Sequence, residues 1–220
     1  MSPLADHEDH PGSADEMVAL MREQRRATRA QLDRRFTILL VVWALAWCVG
    51  FFALWSAENV GGNPAFRIPE QVAWPLFGGL MLAGIVWSIM TGVLAGRDFR
   101  GSSQLAGMLY GWSWSVAMTG AGLFTFGLQR AGLTGEMSAL LYPGLFIILV
   151  GTLYLTGAAL ERSPGMFALG IVMIATVVVA TWVGSPTHYL LYATVGPSAL
   201  ATVAVLQARG ILPTVSEELA

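Results

Sequence analysis

The chain has 220 residues, 55% of them hydrophobic and 12% charged, whereas an ordinary soluble domain carries roughly 25% charged residues. Its 12 basic residues are all arginine and Cys48 is its one cysteine, which excludes a P-loop lysine, a lysine Schiff base, an intrachain disulfide and a cysteine-cluster metal site. The net charge of -2 points to no class of partner.

Residues 1–35 form a cytoplasmic tail in this reading. Residues 1–12, with Asp6-His7-Glu8-Asp9-His10, read as disordered. Ser13-Ala14-Asp15-Glu16 has capping-box spacing, so a short amphipathic helix is expected over 13–35. On it Arg22, Arg25, Arg26 and Arg29 recur at i, i+3, i+4 and i+7, a basic face suited to anionic headgroups or to a cytoplasmic partner.

Six apolar runs follow: 36–55, 72–95, 105–128, 138–160, 166–183 and 189–206, each 18 to 24 residues long. A hydrocarbon core about 30 Å thick needs about 17 to 25 helical residues, so each run can span it. The expected fold is therefore all-α: one six-helix transmembrane domain over 36–206, closed by a cytoplasmic tail at 207–220. Ten arginines fall on one side of this topology and only Arg67 and Arg130 on the other, so both termini are expected in the cytoplasm of a bacterial plasma membrane. The first run, behind six arginines, reads as a retained anchor.

Within the six runs there is no Asp, Glu, Arg, Lys, His, Asn or Gln. Intramembrane ionisable groups normally mark ion pathways and proton relays, so coupling to protons through a membrane carboxylate is not expected. Hydroxyls and indoles remain, a lining suited to an apolar or weakly polar compound. Small residues form i+4 stripes, Gly84-Ser88-Gly92-Gly96 and Gly107-Gly111-Ser115-Thr119, which predict close packing of the second and third helices with a pathway possible along their seam. Trp55, Trp74, Trp182 and Tyr189 suit an outer interfacial belt, whereas Trp47, Trp87, Trp112 and Trp114 lie within runs and are expected to face other helices. The candidate pocket is Tyr110, Gly111, Trp112, Trp114, Ser115 and Thr119, with Ser88 opposite. Gly196-Pro197 lies mid-run and is the candidate hinge, since proline removes an amide and clashes one turn back.

Two further patterns are weighed. The segments 91–97 and 156–162 both begin Thr-Gly and end in arginine, which suits a repeated helical hairpin. Ser113 and His188 are the residue types of a Ser/His pair, but His188 is placed at the outer edge and Ser113 near the inner end, too far apart to bond. No enzyme activity, metal or cofactor is expected.

The succession 97–101, Tyr110-Gly111-Trp112-Ser113-Trp114, Gly132-Leu133-Thr134-Gly135-Glu136 and Pro186-Thr187-His188-Tyr189 resembles that of six-span membrane proteins of GC-rich, actinobacterial-type bacteria. The resemblance covers most of the chain from residue 36. It implies the architecture and a transporter or permease label without an established substrate. The expected function is a transport or efflux component for an apolar or weakly polar compound, without its own nucleotide site. The alternative is a non-transporting interaction or sensor protein that recruits a cytoplasmic partner through its Arg-rich helix. Expected partners are the bilayer, a separate ATPase or other membrane subunit, and a second copy of the chain, but no nucleic acid.

Overall fold

The computed structural model describes residues 14–59, 67–96 and 102–212. They form α1 (Ala14–Glu58), α2 (Glu70–Gly96), α3 (Ser102–Arg130), α4 (Gly135–Glu161), α5 (Pro164–Val183) and α6 (Thr187–Ala208), with no strand among the described residues. Five of the helices are long and apolar enough to cross a membrane, the build of a multi-pass membrane protein. The exception is α3, whose 29 residues suffice in length. Its glycines, serines and threonines keep it less apolar than the membrane-length parts of the other five, so the expected count of six is matched in helices but not in apolarity.

The tail helix and the first span, expected as separate elements, are one 45-residue helix. Between Ala14 and Gly50 the sequence holds neither glycine nor proline and is rich in Ala, Leu, Met, Arg, Glu and Gln, so nothing breaks the helix. Its membrane-length portion is Arg34–Glu58. Ser13, and with it the capping box, lies outside the described residues.

Antiparallel neighbours follow the order α2, α1, α6, α5, α4, α3, with α2 and α3 meeting only slightly. Leu40, Ala44, Trp47, Phe51 and Leu54 make one buried stripe on α1, set against Leu169, Met173 and Val177 of α5 and Tyr189, Tyr192, Ala193 and Leu200 of α6. Phe51 ties three helices together, its ring centroid 5.0 Å from that of Phe77 and 5.3 Å from that of Tyr192.

The closest helix contact is not the one the small-residue stripes predict. A Cβ on Gly92, Gly107 or Gly111 would meet nothing within 4 Å, so the stripes of α2 and α3 do not interlock. Gly84 instead lies under the Trp43 ring, whose indole N–H donates to Ser88 Oγ at 2.9 Å. Backbones approach between α4 and α5, where a Cβ on Gly170 would lie 2.8 Å from the carbonyl oxygen of Gly151. These two helices are joined by a turn of two residues. Arg162 takes a left-handed conformation at φ 50, and Ser163 caps α5 by accepting from the Met166 amide, with Pro164 in the first turn where its missing N–H costs nothing.

The repeated-hairpin pattern does not extend to environment. Thr91 is 6% exposed, whereas Thr156 is exposed and donates to the Thr152 carbonyl. Gly92 is open while Gly157 is enclosed by Tyr110 and Met166.

Candidate functional site

The residues predicted to form one pocket divide into three groups. Tyr110 and Trp114 turn inward: the Tyr110 hydroxyl donates to the Leu153 carbonyl at 2.8 Å, and Trp114 stands edge-on to Tyr154 with centroids 5.7 Å apart. Gly157 makes room for this, because a Cβ there would collide with the Tyr110 hydroxyl. Gly111, Trp112, Ser115 and Thr119 lie on the exposed side of α3, Trp112 with 64% of its surface free. Ser88 belongs to the α1/α2 contact through Trp43. Trp87 is likewise exposed, so of the four interior tryptophans Trp47 is buried, Trp114 half-buried, and Trp87 and Trp112 face outward.

The Gly196-Pro197 pair is buried, and the Trp47 ring sits where a Cβ on Gly196 would be, 2.9 Å away. Glycine there serves close approach of α1 to α6. Arg22 is exposed; the side chains of Arg25, Arg26 and Arg29 lie outside the described residues.

Sequence reasoning missed a buried polar cluster at the start of α6, which meets α1 through Tyr189 and Tyr192 and α4 through His188. His188, expected at an interfacial edge, is inside α6 and 0% exposed. Its cause is Pro143. Proline has no N–H to give to the carbonyl four residues back, so the Ala139 oxygen would be unpaired within α4. The His188 Nε2 lies 3.1 Å from that oxygen. A carbonyl only accepts, so Nε2 carries the proton and Nδ1 of the neutral ring presents a lone pair. That Nδ1 and the hydroxyls of Tyr192 and Tyr142 are buried without a hydrogen-bond partner. Tyr189, expected in the interfacial belt, is 1% exposed and lies against the imidazole, centroids 3.9 Å apart. The signal that could have found this was a proline within a span, which frees a carbonyl for a donor outside the helix's own backbone ladder.

Nearby, Arg67 donates from Nε and Nη2 to the Ala57 carbonyl at 3.3 and 3.2 Å, and buried Ser56 accepts from the Ile68 amide at 3.2 Å. The arginine thus satisfies an orphan carbonyl in the last turn of α1, where a cation also suits the helix dipole. The Ser/His pair does not form: the exposed Ser113 hydroxyl donates to the Leu109 carbonyl, while His188 is enclosed against α4. Among the described residues no group of three His, Cys, Asp or Glu side chains is placed to hold a metal.

The cluster can donate and accept hydrogen bonds but carries no charge and no activated nucleophile. Replacing His188 with leucine should cost about 2 kcal/mol of stability, the scale of one buried unsatisfied carbonyl, whereas His188→Gln, which keeps a donor, should cost less. Thermal unfolding in mild detergent reads the difference, and equal midpoints for wild type and His188→Leu would remove the histidine from this role.

Two concave surfaces stand out among the described residues. One, of about 110 Å³, is lined by Arg35 and Ile38 of α1 and Trp87, Met90, Thr91 and Leu94 of α2. The other, of about 350 Å³, lies beside Arg67, Pro69, Glu70 and Gln71. No family model, curated protein or solved structure matches this chain.

Proposed function

We propose that this multi-pass membrane protein is a transport or efflux component for an apolar or weakly polar compound, with six spans and both termini in the cytoplasm. The observation that carries this reading is the loose attachment of α3. Its inward side is fastened to α4 through Tyr110 and Trp114, while Gly107 and Gly111 face open space and α2 barely touches it. The exposed side offers hydroxyls of Ser115 and Thr119 and the Trp112 indole, an uncharged surface reachable from the bilayer. A compound dissolved in lipid could exchange along such a surface without crossing the closely packed centre. Energy would come from a separate ATPase or from the compound's own gradient.

The test is flux of an uncharged amphiphile down an imposed gradient in liposomes holding the full chain. Gly111→Leu and Ser115→Leu should abolish flux and leave the unfolding midpoint unchanged, because both positions are exposed. Flux equal to that of empty liposomes, or undiminished in both variants, overturns the reading.

A second reading, recruitment of a cytoplasmic partner, gains support from the continuity of α1. The residues ahead of Arg34 add about 30 Å of helix at 1.5 Å per residue, and Met17, Leu20 and Met21 are each more than half exposed on it. A helix that continues a span without a break projects from the bilayer, which favours a protein partner over the headgroup plane.

A further inference from the structure

We propose that the groove between α1 and α2 at the Arg35 end binds an anionic phospholipid. The proposal rests on the membrane-spanning reading alone and is independent of whether the protein transports. The groove is about 110 Å³. Its floor is an i, i+3, i+4, i+7 stripe of α2, Trp87, Met90, Thr91 and Leu94, and its α1 wall is Ile38, with Arg35 one turn nearer the helix end. The stripe from Trp87 to Leu94 runs about 10 Å along the helix axis at 1.5 Å per residue, the length of the first half of an acyl chain.

Charge and polarity are graded along it. The membrane-length part of α1 begins at Arg34 and that of α2 ends at Leu94, so Arg35 stands at headgroup depth while Trp87 lies within the hydrocarbon. Arg34 and Arg35, adjacent at this end of α1, give the mouth a positive charge. Within this stripe, about one turn in from Leu94, sits Thr91. It is 6% exposed and has no hydrogen-bond partner among the described residues, whereas Thr125, Thr176 and Thr181 each donate to a carbonyl three or four residues back. An uncommitted hydroxyl at that depth matches a glycerol ester carbonyl, the group that lies between phosphate and acyl chain. A guanidinium at the mouth matches the phosphate. A zwitterionic lipid would bring its own cation to a positive mouth, and an acidic peptide would leave the apolar floor unfilled, so an anionic lipid fits best.

The experiment uses the full chain in mild detergent, incubated with phosphatidylglycerol or phosphatidylcholine of identical acyl chains, with bound lipid counted by native mass spectrometry. Wild type should retain phosphatidylglycerol in preference, and Arg35→Gln should lower that preference about fivefold, as expected for one basic group near the surface, while Arg35→Lys keeps most of it. Met90→Trp, which fills the floor without changing charge, should reduce retention of both lipids. Equal retention of the two lipids by wild type, or an undiminished preference in Arg35→Gln, overturns the proposal. Displacement of phosphatidylglycerol by inorganic phosphate at matching concentration would assign the site to a free anion instead. Unchanged retention in Met90→Trp would place the lipid elsewhere, and this arm stands even if Arg35→Gln does not fold.

Discussion

Replacing Trp47 with alanine is expected to lower stability by about 3 kcal/mol, the low end of the range for removing a large buried aromatic side chain. Trp47 is 6% exposed, meets Phe51 edge-on at 5.7 Å and 88°, and covers Gly196 of α6. In water such a truncation loses transfer energy as well as packing. In a bilayer the lipid tails are as apolar as the core, so only the lost dispersion contacts and the cavity remain, which is why the low end applies. Trp47→Phe should retain about half of the loss, since a smaller ring still covers part of Gly196. Titration with a denaturing detergent, followed by intrinsic fluorescence corrected for the removed indole, measures both. A change below about 1 kcal/mol in Trp47→Ala would mean that α1 and α6 are held by other contacts.

Placing leucine at Gly170 is expected to be of comparable severity, about 3 kcal/mol, for the opposite physical reason. A Cβ there would stand 2.7 Å from Leu155 Cγ and 2.8 Å from the Gly151 carbonyl oxygen, and one on Gly151 would stand 2.7 Å from Ile174 Cγ1 and 3.1 Å from the Gly170 carbonyl oxygen. Leu155 and Ile174 can rotate. The backbone carbonyls cannot, so relief requires α4 and α5 to separate and gives up the contact along its length. Gly111→Leu is the matched control, with no atom within 4 Å of its new Cβ. If both glycine variants unfold at the same midpoint as wild type, the α4/α5 approach contributes nothing to stability. If Gly111→Leu alone loses flux, helix packing and the transport surface are separated on one molecule.

Some of this architecture is legible from one-dimensional pattern. The places of α2 to α6 follow from apolar runs, because a span must satisfy its own backbone inside hydrocarbon and only a helix of sufficient length does so. Pro164 at the start of α5 and Ser163 before it mark that helix start in the sequence. Other features mislead for identifiable reasons. The i+4 stripes on α2 and α3 mark smooth helix sides, but smoothness states nothing about what lies opposite, and the true close approach uses Gly151 and Gly170, which form no i+4 stripe. Interior tryptophans suffer similarly: with lipid outside and side chains inside, both surroundings are apolar, and Trp112 and Trp47 look alike until their neighbours are known. The change of charge at Arg35 suggests a separate tail helix, yet charge does not interrupt a helix that holds neither glycine nor proline there.

The candidate sites divide along the same line. That Pro143 leaves a carbonyl in need of a donor follows from covalent structure alone. That His188, 49 residues later, supplies it depends on α4 and α6 meeting at one depth. Likewise Arg35 is visibly a boundary charge in the sequence, and only the α1/α2 contact sets Thr91 and Trp87 beside it. By itself the sequence determined that this chain is helical and built for the bilayer, which end of each helix carries its charge, and which chemistries are closed to it for want of lysine and of a second cysteine. Tertiary structure alone decided which glycines are crossed, which aromatic rings turn inward and which polar groups are paired. Composition and periodicity are properties of one helix, fixed by residue type and the 3.6-residue turn. Contact is a property of two, fixed by shape and by hydrogen bonds that no single helix can complete.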